Sequence, residues 1–150
     1  MFKIEFLHEN LSATTKKEVL EELVNVLTKN GLKIDSVKAV DVLQQREKLG
    51  STGIGDGVAI PHGKVSDLND LVVIFGRSQK GIEFEAIDGK LTHLFFLLLA
   101  PENSTGQHLK ALAKISKMLK TPNFRKNLMD ARTKADLLKI IVEQDESCFV

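Results

Sequence analysis

Two near-continuous apolar runs, LVVIFGR (Leu71–Arg77) and HLFFLLLA (His93–Ala100), place the strongest limit on how this chain can fold. A strand without polar alternation is typical of a sheet covered on both faces, because all of its side chains must be buried. The longest apolar stretch, Leu94–Ala100, is too short to span a bilayer. The runs therefore predict buried strands in a sheet packed between helices.

Two helices are predicted before these runs. The capping box Thr15–Glu18 precedes leucines and valines at helical spacing, and Gly31 ends this first helix. The second helix is expected to begin at Asp35 or Ser36 and to end with Gln44–Glu47. Its expected buried stripe consists of Val37, Val40 and Leu43.

Three helices are predicted after the second apolar run. A second capping box, Ser104–Gln107, places His108 in the first turn of the third helix. Thr121 and Pro122 open the fourth helix, and Thr133 opens the fifth. The expected core face of the third helix consists of Leu109, Leu112, Ile115 and Leu119. The fourth helix contains Phe124 and Leu128, and the fifth runs through Leu137, Leu138 and Ile141.

The chain of 150 residues is long enough for one hydrophobic core and contains no linker or repeat. We expect a single α/β domain over residues 1–150, with a flexible tail at 145–150. The segment GVAIP (Gly57–Pro61) is predicted to be a short strand, and GIEFEAIDGK (Gly81–Lys90) to form turns with a short strand or hairpin.

Charge and cysteine content exclude several classes of protein. Lysines and arginines number 21 and acidic residues 20, so the basic surplus of a general nucleic-acid binder is missing. The first residues do not resemble a secretion signal, and no direct insertion into a membrane is expected. A single cysteine, Cys148, allows no internal disulfide and fits a cytoplasmic location.

The segment GSTGIGDGVAIPHGK (Gly50–Lys64) is the candidate functional motif. It lacks the Lys-Ser or Lys-Thr pair of a Walker phosphate loop. Its glycines follow a helix and precede a strand, whereas a dinucleotide fingerprint follows a strand and opens a helix. Two interpretations remain: a turn whose glycines supply positive φ angles, and a site built around the histidine that follows.

That histidine, His62, stands on a stiff backbone. Pro61 has a fixed φ and favours an extended Ile60, so the imidazole is expected at the C-terminal end of a strand, where α/β sheets usually carry their sites. Gly63 leaves one side of the ring uncrowded. Such a histidine suits nucleophilic attack. The alternative is a structural histidine that caps a backbone carbonyl.

Two further side chains suit an anion. A neutral His108 at the positive end of a helix could donate one N–H to a phosphate oxygen, and Arg46 at a helix end suits bidentate phosphate binding. The alternatives are a solvated first-turn histidine and an ordinary surface charge. We expect His8 and His93 to be structural, and Cys148 lies too near the chain end to be a positioned nucleophile. Two histidines do not supply the ligands of a metal site, so no metal or organic cofactor is expected.

The segment REKLGSTGIGDGVAIPHGK (Arg46–Lys64) resembles the active-site segment of the fructose/mannitol-type (type 2) enzyme IIA domains of the bacterial phosphoenolpyruvate-dependent phosphotransferase system, which include the nitrogen-regulatory enzyme IIA. The resemblance continues through HLFFLLLAPENSTGQHLKALAKIS (His93–Ser116) and covers nearly the whole chain. It implies a mannitol enzyme IIA-like α/β fold, with a mixed, mostly buried sheet and helices on both sides.

The resemblance also implies a role for each candidate. His62 would be the phosphorylated residue, reacting through Nε2 while Nδ1–H binds a backbone carbonyl. Arg46 matches the arginine that supports the phosphoryl group, and His108 matches the second histidine beside the active one. Backbone amides of the glycine loop are further candidate donors. This predicted phosphate-binding loop comprises Ser51, Thr52, Gly53, Gly55 and Gly57.

The implied phosphoryl donor is HPr or its nitrogen-branch paralogue, and the implied acceptor is a cysteine of an enzyme IIB domain. One alternative is a regulatory protein whose phosphorylation on His62 controls binding to a transporter or sensor, without onward transfer. Another is a small hydrolase or metal-binding protein that uses His62 and His108. No nucleic-acid partner is expected.

Overall fold

A mixed sheet of six strands forms the centre of the computed structural model, which describes residues 6–147. The strands are β1 (Phe6–His8), β2 (Gly53–Gly55), β3 (Val58–Ala59), β4 (His62–Val65), β5 (Val72–Ile82) and β6 (Thr92–Pro101). Their order is β1-β5-β6-β3-β2, and β4 also pairs with β6. The β5–β6 and β2–β3 pairs are antiparallel, and the other pairs are parallel.

Five helices in the described part of the chain cover this sheet. They are α1 (Lys16–Lys29), α2 (Ser36–Lys48), α3 (Thr105–Leu119), α4 (Pro122–Asp130) and α5 (Lys134–Ser147). Helices α1 and α2 pack on one face, and α3, α4 and α5 pack on the other. The predicted α/β architecture with helices on both sides is confirmed.

The two apolar runs form the central antiparallel pair, β5 and β6. On one face Phe75 packs against Phe96, with ring centroids 4.9 Å apart. On the other face Phe95 packs edge-on against Phe84 at 5.4 Å. Because both faces of these strands bury aromatic and aliphatic side chains, their sequence shows no polar alternation.

The capping predictions are confirmed in part. The hydroxyl of Thr15 accepts a hydrogen bond from the Glu18 amide at 3.2 Å, and Asp35 caps α2 by accepting from the Lys38 amide at 3.1 Å. Ser104 does stand at the N-cap of α3, but the predicted capping box is wrong. Its hydroxyl donates to the Pro101 carbonyl at 2.8 Å and makes no side-chain cap hydrogen bond.

Two predicted core residues point to solvent, because the buried stripes of α2 and α3 follow a different line from the one predicted. Val37 is 79% exposed, since the stripe of α2 runs through Ala39, Val40, Leu43 and Glu47. Leu109 is 62% exposed, since α3 buries His108, the residue before it. Hydrophobic periodicity cannot detect a buried stripe that includes a charged or imidazole side chain.

The two ends of the described chain differ from expectation. Strand β1 was not predicted, because three residues carry too little pattern, yet His8 pairs with Gly76 of β5 within it. The tail was expected to be flexible from residue 145, but α5 continues to Ser147. There Asp145 is buried in an ion pair with Lys114. Residues 148–150, including Cys148, lie outside the described residues.

Candidate functional site

His62 stands at a break in an otherwise continuous parallel alignment. In β3 Val58 pairs with Leu94, and in β4 His62 pairs with Leu98, so the register along β6 does not change across the break. Pro61 lies in this break. Proline has no backbone N–H to donate to a neighbouring strand, but the Pro61 carbonyl still accepts a hydrogen bond from the Leu98 amide at 2.8 Å. The strand was predicted to end here; instead it resumes, and His62 is the first residue of β4.

Both ring nitrogens of His62 have partners. Nδ1 lies 2.8 Å from the Ile60 carbonyl and must donate to it, because a carbonyl oxygen only accepts. Arg46 Nε donates to Nε2 at 3.3 Å. Burial lowers the pKa of His62, and the positive charge of Arg46 lowers it further, while the Ile60 carbonyl and Glu47 oppose the shift. The ring is therefore neutral at pH 7, with its Nε2 lone pair directed at a guanidinium.

Arg46 and His108 approach His62 from opposite faces of the sheet. Arg46 is in the last turn of α2, and its Nη1 donates to the Gly50 carbonyl at 2.9 Å. His108 belongs to α3, on the other face. Its ring centroid is 5.4 Å from that of His62, with the two ring planes at 81°. The three predicted residues thus form one cluster.

The second histidine is a buried group with an unsatisfied nitrogen. His108 is 7% exposed, and among the described residues its Nε2 has no hydrogen-bond partner. Burial lowers its pKa most, and the charges of His62 and Lys64 lower it further. Lys64 follows His62 on the same face of β4 and donates to the Thr105 hydroxyl at 2.6 Å. A neutral imidazole whose Nε2 is buried without a partner among the described residues can donate to an anion beside His62 in the tautomer that carries the proton on that nitrogen.

The glycine loop is held mainly by contacts within the protein. The Thr52 amide donates to Glu47 Oε1 at 3.0 Å, and the Gly53 amide donates to the Ser51 hydroxyl at 3.0 Å. That hydroxyl donates in turn to the Phe84 carbonyl at 2.7 Å. Two of the amides predicted to bind phosphate are therefore already engaged. The glycines at 55 and 57 have φ of 94° and 77°, which explains their residue type by backbone conformation.

Two residues of this region were missed in the sequence. Glu47 is buried beside the glycine loop. The sequence does indicate its burial, since Glu47 lies four residues after the buried Leu43 and therefore on the same face of α2. Lys64 carries the second cation of the site. Its signal is the two-residue period of a strand, which places its side chain on the same face as that of His62.

The remaining histidines serve local structure, as predicted. His8 Nε2 lies 2.7 Å from Glu22 Oε2, and His93 Nδ1 donates to the Ser78 carbonyl at 2.9 Å. Within residues 6–147 no group of three or more His, Cys, Asp or Glu side chains is arranged to hold a metal ion. In the same range, none of the helices combines the length and the apolar character needed to cross a membrane.

Comparison with known proteins agrees with this geometry. Residues 1–144 match the family model described as "Phosphoenolpyruvate-dependent sugar phosphotransferase system, EIIA 2". The chain belongs to the EIIA 2 family. The segment that carries the match includes all three clustered residues, His62, Arg46 and His108, so the predicted resemblance is confirmed.

Curated relatives of this EIIA 2 chain carry two kinds of name. A nitrogen regulatory protein of Bradyrhizobium diazoefficiens is 44% identical over 81% of the chain and 79% of that relative. The fructose-specific EIIABC component of Bacillus subtilis is 36% identical over 91% of the chain. The chain spans 22% of the length of that second relative.

Solved structures show the same EIIA fold. The nitrogen regulatory protein IIA-Ntr from Neisseria meningitidis superposes with a TM-score of 0.83 at 34% identity, covering 91% of this chain and 92% of that one. The mannitol enzyme IIA of Escherichia coli, solved in complex with phosphorylated mannitol enzyme IIB, superposes with a TM-score of 0.78 at 20% identity. It covers 95% of this chain and 98% of that one.

Proposed function

We propose that this EIIA domain is a phosphohistidine carrier in which His62 Nε2 holds the phosphoryl group. The observation that carries the proposal is the arrangement of the His62 ring. Nδ1 is fixed on the Ile60 carbonyl, and Nε2 is directed towards the Arg46 guanidinium. A neutral ring in this tautomer has its lone pair on Nε2, where phosphorus must be attacked.

In the transfer step the Nε2 lone pair of His62 forms a bond to phosphorus in line with the bond that breaks. The donor histidine leaves with the electron pair of its own N–P bond, so charge is conserved between the two imidazoles. The hydrogen bond from Arg46 to Nε2 must open during attack, because the same lone pair forms the new bond. The guanidinium then lies within reach of the phosphoryl oxygens, where bidentate donors are most effective.

His108 supplies a second donor from the opposite face of the sheet. Its Nε2 is buried and has no partner within residues 6–147, and its lowered pKa keeps the ring neutral, so it can donate one N–H without adding a second fixed charge. A preorganised donor of this kind commonly changes a rate by about 10²–10³-fold. The protein itself supplies these donors, and the step needs no cofactor.

We infer a protein docking surface from exposed apolar side chains on the segments that carry Arg46, His108 and the glycine loop. Leu49, just after α2, and Leu109, next to His108, are exposed, as is Ile54 in the glycine loop. Exposed apolar side chains around a reactive group are typical of protein docking surfaces. We assign HPr or its nitrogen-branch paralogue as donor and an enzyme IIB cysteine as acceptor, in the cytoplasm. The mannitol enzyme IIA that shares this fold was solved with phosphorylated enzyme IIB.

A regulatory role without onward transfer is the second candidate. The observation that favours it is the 44% identity to a nitrogen regulatory protein, against 36% to the fructose-specific component. Phosphorylation of His62 would add about two negative charges to the apolar surface around it, which is enough to change a docking partner. Transfer of the label from His62 to an enzyme IIB cysteine separates the two candidates.

The test is incubation of the purified protein with labelled phosphoenolpyruvate, enzyme I and each carrier protein. We expect the wild type to be labelled and His62→Ala to remain unlabelled, because the substitution removes the ring whose Nε2 faces Arg46. Arg46→Gln should be labelled more slowly. His93→Gln is the matched control, since it removes another half-buried histidine outside the site. Label on purified His62→Ala would exclude His62 as the carrier residue.

A further inference from the structure

Glu47 is a buried carboxylate that follows Arg46 in the last turn of α2. Its side chain is 5% exposed. It accepts hydrogen bonds from both the amide and the hydroxyl of Thr52 and lies 3.1 Å from Lys16 Nζ. Burial of a carboxylate is costly unless donors and cations compensate it, and here all of the compensating groups come from outside α2. Glu47 therefore links α1, α2 and the glycine loop.

The same contacts fix the segment on which the guanidinium of Arg46 rests. The Gly50 amide donates to the Glu47 backbone carbonyl at 3.1 Å, and the Glu47 carboxylate holds Thr52 two residues further on. Between these two attachments, the Gly50 carbonyl accepts from Arg46 Nη1 at 2.9 Å. A shift of the Thr52 attachment would therefore move the carbonyl that orients the guanidinium.

We propose that Glu47 is a positioning residue that, through Thr52 and Gly50, sets where the Arg46 guanidinium lies relative to His62. This inference rests on the proposed function, because its consequence is read in phosphoryl transfer. In the described part of the chain, no hydrogen bond joins the Glu47 carboxylate to the His62 ring, so its effect on the place of the guanidinium passes through Thr52 and Gly50. Placement of a donor matters because an error of about 1 Å in a reacting geometry can cost roughly 10²-fold in rate.

The charge of Glu47 has a second effect that geometry alone would not produce. Among the described residues, the titratable and charged groups near the His62 ring include Arg46, Glu47, His108 and Lys64. Burial and Arg46 lower the pKa of His62, whereas Glu47 opposes them. Replacement of the carboxylate by an amide keeps the shape of the side chain and removes this opposition, so the pKa of His62 should fall further.

Glu85 supplies the matched control, because it is paired with the same lysine as Glu47, Lys16. Lys16 Nζ lies 3.1 Å from Glu47 Oε1 and 3.4 Å from Glu85 Oε1, and it stands 4.8 Å above the Phe84 ring. Glu85 shares this cation but is 76% exposed, and in the part of the chain that the structure describes no hydrogen bond joins its side chain to Thr52. Glu85→Gln therefore removes the same charge from the same lysine without touching the glycine loop.

The experiment compares four variants of the full chain, Glu47→Gln, Glu85→Gln, Thr52→Val and Thr52→Ser. We expect Glu47→Gln to lower kcat for phosphorylation by about tenfold or more, with the KM for the carrier protein nearly unchanged, since the exposed docking side chains remain. NMR titration should show a lower pKa for His62. Thr52→Ser keeps the hydroxyl and should retain most of the rate that Thr52→Val loses.

Three results would decide against the proposal. In the first, Glu47→Gln and Glu85→Gln have the same kcat for phosphorylation and the same pKa of His62. Another is a loss of rate fully accounted for by a smaller folded fraction in thermal melts. The third is equal rates for Thr52→Val and Thr52→Ser. If the wild type itself accepts no phosphoryl group, the proposed function fails, and amide exchange at Gly50 with the His62 titration still tests the positioning.

Discussion

At the scale of single residues, burial keeps the paired imidazoles uncharged. Burial is the largest cause of the lowered pKa of both His62 and His108, and positive neighbours add to it. A neutral His62 has a lone pair for attack, and a neutral His108 has an N–H to donate. In solvent, both rings would be half protonated at about pH 6.5. Protonation of His62 would remove the lone pair that attacks phosphorus.

The pH dependence of stability and activity follows from these shifts. Because the unfolded chain binds protons at a higher pH than the folded histidines, the free energy of unfolding should decrease as the pH falls below about 6.5, until the folded pKa values are reached. The rate of phosphorylation should fall only at lower pH, around the lowered pKa of the folded His62, because the ring stays neutral until that pKa is approached. NMR titration and urea unfolding between about pH 5 and 8 measure both effects. A His62 pKa above 6.5 would contradict this account.

At the scale of elements, the site depends on how closely α2 approaches β4. A Cβ added to Gly63 would lie 2.6 Å from Val42 Cγ1, well inside van der Waals contact. Gly63 therefore allows the helix that carries Arg46 to pack directly on the strand that carries His62. The sequence indicated a glycine that leaves the imidazole uncrowded, and the structure adds a packing reason.

We predict that Gly63→Ala destabilises the fold by about 1–3 kcal/mol, because α2 must move away from β4 or Val42 must shift. It should also slow phosphorylation, since Arg46 moves with α2. Gly106→Ala is the control. A Cβ there meets no atom within 4 Å, and alanine in the first turn of α3 should be neutral or slightly stabilising. Equal unfolding free energies for both variants, measured in urea, would contradict the packing argument.

At the scale of the whole molecule, one buried arginine joins distant parts of the chain. Arg77 of β5 is 3% exposed, and its Nε donates to the Glu9 carbonyl after β1 at 3.1 Å. Its Nη1 donates to the Leu128 carbonyl of α4 at 2.9 Å and also to that of Ala131. The guanidinium thus satisfies carbonyls at the start of the fold and at the junction of α4 and α5.

Arg77→Met should therefore lower the free energy of unfolding by about 3 kcal/mol or more, because several buried carbonyls lose their donor at once. Arg132→Met, at an exposed position of the same junction, should change it by less than about 0.5 kcal/mol. Chemical denaturation of both variants measures the difference. Similar midpoints and slopes for the two would show that the guanidinium is dispensable.

The sequence by itself determined the fold class, most of the helices and the identity of the cluster. Apolar runs without alternation require a covered sheet, the caps at Thr15, Asp35 and Thr133 specify helix starts, and the motif around His62 marks the site. These features are local, because each depends on residues that are neighbours along the chain.

Only the tertiary structure decided which polar groups are buried and what they bind. His108 lies against the His62 ring and Glu47 accepts from Thr52, and no helical period in the sequence records these contacts. The amides of Thr52 and Gly53 are engaged within the loop, and Arg46 reaches the ring across the edge of the sheet. Hydrogen bonds and burial depend on residues distant in sequence, so they become defined when the helices pack on the sheet.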